Sequence, residues 1–366
     1  MKIHAAVSRQ SKQPFNLEAL ELDDPLDNEV LVRIVGVGLC HTDVVFRDQA
    51  VPHPLPAVYG HEGSGVVERV GKAVTKIAPG DHVVLTFSSC GQCKSCLQGK
   101  PSYCLEFGKL NVSGSRPNGE ATLKDESGER VCGCFFGQSS FASHALAHER
   151  NVVKIPRDVP LELMGPLGCG IQTGAGAILN ALQPKAGSSV VIFGAGSVGL
   201  AAVLAAAIRG CYPIIVVDLQ PSRLELAIEL GGTHTVNGGA VDAVAAIRTI
   251  TNEQGADFSV ECTGVPKVVR QAVDALAIGG VCGVVGAAPA GAEVALDINS
   301  VLMGRTVKGV MEGDSIPELF IPQLIEFWRQ GKFPFDRLIK FYPLADINKA
   351  IDDSEHGGVL KAVMRP

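Results

Sequence analysis

The sequence has no excess of basic charge. Its 32 Lys and Arg against 38 Asp and Glu leave a net charge of −6, which gives no general attraction for nucleic acid or an anionic membrane, and no basic stripe suited to a phosphate backbone occurs. An even cysteine count is also missing. Eleven cysteines exclude complete internal pairing. Their cluster between Cys90 and Cys104 points to metal binding in a reducing, cytoplasmic compartment rather than to a disulfide scaffold. The first residues, MKIHAAVSRQSKQ, lack an apolar core, so no secretory leader is predicted. Residues 186–208 carry no charge and are long enough to span a bilayer. Gly187, Gly194, Gly196 and Gly199 divide them, however, into a buried strand, a tight turn and a buried helix. Repeats and low-complexity tracts are absent.

What is present describes a soluble globular protein, 46% hydrophobic and 19% charged. At 366 residues the chain exceeds one typical core and predicts two domains. The first third reads as short strands and turns, as in EVLVRIVGVG and GSGVVERVGKAV. From Ser188 apolar strands alternate with amphipathic helices, the pattern of a doubly wound α/β fold with a parallel sheet. The last fifty residues lack a core of their own and are expected to return to the first domain.

Gly194-x-Gly196-x-x-Gly199 lies between a predicted strand and helix, and Asp218 ends the next strand. These are the conditions for a dinucleotide site. Gly194 allows the tight turn, Gly196 admits the pyrophosphate, Gly199 lets helix pack on strand, and the helix N-terminus faces the phosphates. Asp218 would accept the adenosine ribose hydroxyls and repel a 2′-phosphate, favouring NAD over NADP. Arg223 lies close enough in sequence to serve either ribose.

Cys90, Cys93, Cys96 and Cys104 fall within one short loop and predict a closed tetrahedral site for zinc. Its role would be structural, worth on the order of 10 kcal/mol of folding free energy. A nucleic-acid-reading zinc ribbon is the rival reading, and the acidic chain argues against it. Cys40, His61 and Cys169 are dispersed, each among glycines at the end of an apolar run. Spacing alone does not join them, and singly each also reads as a buried thiol or a satisfied histidine.

GHEGSGVVERVGKAV, the four-cysteine loop, LGCGIQTGAGA and the glycine turn occur in an order that resembles the zinc-dependent medium-chain alcohol dehydrogenases along essentially the whole chain. GLCHTD, FFGQSSFA and GCGIQTGAG are similar to the aryl-alcohol (benzyl alcohol) branch. The resemblance implies a GroES-like catalytic domain, residues 1–170 and 312–366, and a Rossmann-type NAD-binding domain, residues 171–311. It implies two zinc ions per chain. Cys40, His61 and Cys169 would hold the catalytic one, with Glu62 behind the metal and Asp43 on the other ring nitrogen of His61. His41, Lys361 and Thr173 would contact the cofactor, the first two at the pyrophosphate.

The implied reaction is the reversible NAD-dependent oxidation of a primary alcohol to an aldehyde. Zinc lowers a bound hydroxyl's pKa from near 16 to about 7, which at ~1.36 kcal/mol per unit is about 12 kcal/mol. Thr42 would take the proton. Many family members carry a histidine three residues beyond this threonine. Here the position is Val45, which relays nothing, so the proton must leave through the ribose and ordered water or through another residue. Phe87, Phe135 and Phe136, with Val51 and Leu110, are the implied pocket. In a chain with only 5% aromatics, three phenylalanines suit a small aromatic alcohol, while most phenylalanines simply fill cores. An allylic alcohol such as geraniol fits the same shape, and the glutathione adduct of formaldehyde would need a basic pocket instead. No nucleic-acid or membrane partner is expected, and the family implies a homodimer or homotetramer.

Overall fold

The strand Glu29–Gly38 organises the N-terminal part of the molecule. Its residues EVLVRIVGVG are buried on both faces except at Arg33, which is why half the run is β-branched and the apolar residues do not strictly alternate. It pairs antiparallel with Gly63–Val70 on one side and with His144–His148 and Lys361–Arg365 on the other. Register then decides what meets at its end. Val37 lies opposite Gly63 and Met364, and Gly38 lies opposite Val363. Cys40, two residues past the strand, His61, two before its neighbour, and Lys361, the first residue of the third, therefore converge.

The computed structural model describes residues 1–366, which form two units. One comprises residues 1–170, 316–323 and 336–366, the other 171–315 and 324–335. The chain thus rejoins the first unit at Ile316, later than the 312 expected, and leaves it again over 324–335. The first unit holds the seven-stranded sheet just described and a five-stranded sheet in the order Ala57–Val58, Lys2–Ser8, Asn16–Leu22, Leu123–Lys124, Arg130–Val131.

The second unit is a six-stranded parallel sheet. Its order is His234–Asn237, Ile214–Asp218, Val190–Phe193, Ala256–Glu261, Leu276–Val284, Thr306–Gly309. Numbered along the chain, that is 3-2-1-4-5-6, the doubly wound dinucleotide-binding order. The uncharged stretch becomes the buried strand Val190–Phe193 and the largely buried helix Ser197–Ile208. No helix is long and apolar enough to cross a membrane.

Candidate active site

Cys40, His61 and Cys169 offer three ligand atoms within 4.8 Å of one another. Cys40 caps the short helix His41–Arg47, His61 precedes the strand Gly63–Val70, and Cys169 follows the turn Gly165–Gly168. That turn is held where Thr86 Oγ1 donates to Gly168 O at 2.7 Å. His61 is 1% exposed. Its Nδ1 donates to Asp43 Oδ1 at 2.8 Å, which assigns the tautomer and leaves Nε2 as the acceptor. Nε2 is buried and has no hydrogen-bond partner.

An unpaired buried imidazole nitrogen is costly, and a soft cation shared with two sulfurs satisfies it. Hydrogen bonding from Cys169, then His61 and Lys361, hold the Cys40 thiol well below its usual range against the opposing effect of burial. It is therefore disposed to bind metal as thiolate. Two thiolates and one imidazole fit zinc and leave one of four tetrahedral positions for an exogenous ligand.

Asp43 is fully buried. Besides His61 it accepts the N–H of Cys40 at 3.0 Å and that of Gly60 at 3.0 Å, so it steers two ligands together. Gln138, which sequence reasoning passed over inside FFGQSSFA, donates to His61 O at 2.9 Å and accepts from Gly63 N–H at 3.1 Å. A buried glutamine in an apolar stretch was the available signal.

Lys361 is not placed to meet a pyrophosphate. It is 3% exposed, and its three protons are taken by Leu39 O at 3.0 Å and by the two Glu62 carboxylate oxygens at 2.9 Å each. An ammonium has three donors, so none remains for a phosphate. Burial works against its charge, but Glu62 and Cys40 outweigh burial and raise its pKa.

Thr42 Oγ1 lies 3.6 Å from Cys40 Sγ and is half-buried. His41 is exposed at the start of the same helix, and Val45 is half-buried one turn on. Phe136 stacks on the His61 ring with centroids 4.5 Å apart and planes at 27°. Phe107, which the sequence reading did not select, meets Phe136 at 6.0 Å and Phe87 at 6.1 Å. Leu110 is half-buried beside Cys90 and Cys93, and Val51 is exposed.

Phe135 departs from the expected pocket. It has no exposed surface and packs among Phe46, His53 and Tyr59 at 5.0–5.9 Å, so it fills the core. Phe136 takes φ of +49° in the turn Phe135–Gly137; the two rings meet edge-on at 5.0 Å, and Phe135 also meets the His61 ring edge-on at 5.5 Å.

The second cluster is Cys90, Cys93, Cys96 and Cys104, also within 4.8 Å of one another. Cys90 and Cys96 sulfurs are 4.0 Å apart, as are those of Cys93 and Cys104. Zinc–sulfur bonds of ~2.3 Å give tetrahedral edges of about 3.8 Å, so four thiolates here fit a closed zinc site. Backbone N–H groups of Cys96 and Leu105 pull the Cys93 thiol down to about 6.

In the second unit Gly194 has φ of +93°, where a side chain is strained. A Cβ on Gly196 would meet nothing within 4 Å, so the turn is open above its backbone. Asp218 Oδ2 accepts Ala195 N–H at 2.6 Å, and Oδ1 accepts Leu219 and Gln220 N–H at 2.8 and 2.9 Å. The carboxylate is thereby fixed against the glycine turn, as a dinucleotide site requires. Arg223 Nε is buried without a partner. Thr173 Oγ1 donates to Glu312 Oε2 at 3.4 Å.

Residues 26–157 match the alcohol dehydrogenase GroES-like domain family and residues 197–328 the zinc-binding dehydrogenase family. The chain is similar to a crystal structure of an alcohol dehydrogenase zinc-binding domain protein from Burkholderia ambifaria, at 53% identity and TM-score 0.98 over 100% of this chain and 99% of that one. It is similar to benzyl alcohol dehydrogenase from Acinetobacter calcoaceticus, at 49% identity and TM-score 0.96 over 100% and 99%. Geraniol dehydrogenase of Castellaniella defragrans is 46% identical, with 98% of this chain and 96% of that protein covered. With two zinc-fitting clusters and a dinucleotide-binding sheet on one chain, this protein belongs to the zinc-dependent medium-chain alcohol dehydrogenases.

Proposed function

We propose that this alcohol dehydrogenase oxidises aromatic primary alcohols of the benzyl alcohol type to aldehydes, reversibly and with NAD. The observation that carries the reading is Phe136 stacked on the imidazole of His61, with Phe107 and Phe87 continuing an aromatic cluster in which Phe136 and Phe87 are themselves largely buried. A flat ring brought to that wall gains ~0.5–1.5 kcal/mol per ring pair beyond area burial, which ethanol does not. The 49% identical benzyl alcohol dehydrogenase supports the same substrate class.

Cys40, His61 and Cys169 would hold zinc, which would supply a Lewis acid for the alcohol oxygen, and NAD would supply the hydride acceptor. Asp43, bound to Nδ1 of His61, leaves Nε2 for the metal. Thr42 Oγ1 would accept the hydroxyl proton while its own hydroxyl hydrogen passes to a ribose hydroxyl. Val45 has no atom to relay it further, so the proton would leave through the ribose and ordered water. Gly194, Gly196 and Gly199 admit the cofactor phosphates, with Thr173 and His41 as further contacts. Asp218 selects NAD over NADP, and Arg223 flanks the ribose. A homodimer or homotetramer is part of this reading, supported by exposed Ile298, Leu302 and Met303 preceding the edge strand Thr306–Gly309.

A second reading, oxidation of an allylic alcohol, is favoured by the 46% identical geraniol dehydrogenase, since a planar alkenyl chain suits the same wall. The glutathione adduct of formaldehyde is disfavoured, because an aromatic wall offers its carboxylates no cation. NAD+ reduction measured with benzyl alcohol, geraniol, ethanol and hydroxymethylglutathione decides among them. Benzyl alcohol should give the highest kcat/KM, and a clear preference for ethanol would overturn the aryl assignment.

A further inference from the structure

Each of the three zinc ligands has a chain neighbour that meets one buried ion pair. Leu39 precedes Cys40, Glu62 follows His61, and Gly170 follows Cys169. Lys361 Nζ donates to Leu39 O at 3.0 Å and to Glu62 Oε1 and Oε2 at 2.9 Å. Gly170 N–H donates to Glu62 Oε1 at 3.0 Å. The side chains of Lys361 and Glu62 are 2% and 0% exposed. The fit is close: a Cβ on Gly38 would lie 2.0 Å from Glu62 Oε2, so only glycine leaves room for the carboxylate.

Such a pair is a poor device for stability alone. Desolvating both charges offsets much of their attraction, and an apolar pair of similar volume is often at least as stable. What an apolar pair lacks is direction. Glu62 sits on the His61 segment, and oriented hydrogen bonds from the pair reach the other two ligand-bearing segments, at Leu39 and Gly170; neither residue belongs to the three-atom ligand set.

We propose that Lys361 is a positioning residue of the catalytic zinc site, which through Glu62 and Leu39 sets the separations of Cys40, His61 and Cys169. The inference rests on reading those three residues as zinc ligands. In place of a contact to the cofactor, Lys361 acts on the metal through the backbone that carries its ligands.

The test uses the full-length, zinc-loaded protein. Each zinc is titrated against a chelator, with the four-cysteine zinc as internal reference, in wild type, Lys361→Met and the charge-neutral double variant Glu62→Gln/Lys361→Met. The catalytic zinc should bind about 10–100-fold more weakly in Lys361→Met, the usual effect of losing an outer partner of a metal site, while the reference zinc is unchanged. The double variant leaves no unpaired buried charge. It should recover thermal stability without recovering zinc affinity, and it carries the test if Lys361→Met does not fold. Cobalt(II) exchanged into the site should show a shifted visible absorption band in both variants, because the donor geometry has changed. Wild-type affinity and spectrum in both variants would overturn the inference, as would a double variant that regains affinity together with stability. A wild-type protein that holds zinc only at the four cysteines would remove the ligand reading, and the inference with it.

Discussion

Phe136 lies almost flat against His61, with ring centroids 4.5 Å apart and planes at 27°. The imidazole is therefore fixed twice, on its face by Phe136 and at Nδ1 by Asp43. Phe136→Ala should lower kcat/KM for benzyl alcohol by about 2- to 13-fold, the equivalent of ~0.5–1.5 kcal/mol for one ring pair. Ethanol turnover should fall less, because only the loss of support for the His61 ring is common to both alcohols. Steady-state kinetics on both alcohols checks this, and equal losses on both would remove Phe136 from the specificity wall.

Phe135→Ala should behave differently, although the two residues are adjacent. Phe135 is wholly buried among Phe46, His53 and Tyr59, so its loss should cost ~3–5 kcal/mol of stability. Denaturant unfolding should report that loss. The ratio of benzyl alcohol to ethanol turnover in the surviving folded protein should stay as in wild type.

Asp43→Asn keeps the shape and removes an acceptor. The carboxylate receives N–H groups from Cys40, Gly60 and His61, whereas an amide offers one oxygen and turns its NH2 toward another donor. Zinc affinity at Cys40, His61 and Cys169 should fall about 10–100-fold, with the four-cysteine zinc retained. Metal content after dialysis against a chelator measures it.

Thr42→Val should slow hydride transfer by about 100-fold or more, the usual span of a lost proton-transfer group. Thr42→Ser should retain most of the rate. Single-turnover NADH formation, with zinc content verified, gives the answer, and an unchanged rate in the valine variant would exclude Thr42 as the proton acceptor.

Val45→His adds an imidazole one turn beyond Thr42. Only its neutral form accepts a proton, and an unperturbed histidine titrates near ~6.5. Hydride transfer in this variant should therefore gain a component that rises with pH through that region. A pH–rate profile identical to wild type would show that the side chain at 45 does not reach the proton's route.

Cys104→Ser should remove one zinc per chain and leave the other. The binding free energy of such a site is on the order of 10 kcal/mol, and it acts on the loop that carries the four cysteines. The loop from Cys90 to Cys104 should then become a preferred site of limited proteolysis.

What could be read from the sequence was what depends on near neighbours. The glycine turn and Asp218 announce themselves because strand, turn and helix are contiguous, and the parallel sheet follows from their alternation. Four cysteines in one loop are joined by spacing alone. Cys40, His61 and Cys169 come together only through the register of strands distant in sequence, and there the resemblance to a family supplied what spacing could not. Lys361 was expected at the pyrophosphate because the resemblance puts a basic residue there, and its buried partner Glu62, 299 positions away, shows only in the fold. Phe135 and Phe136 are identical in the sequence, and only the structure tells which stacks on the face of His61 and which meets it edge-on.

Lys361 and Leu39 stand 322 positions apart and share a hydrogen bond. Translation at ~5–20 residues per second needs about 15–65 s to make that interval. Cys40 and His61 thus emerge long before the strand that carries Lys361 exists to brace them. All three candidate ligands exist once Cys169 has been made, but the contacts from Lys361 that tie their segments together form only when the last strand is complete.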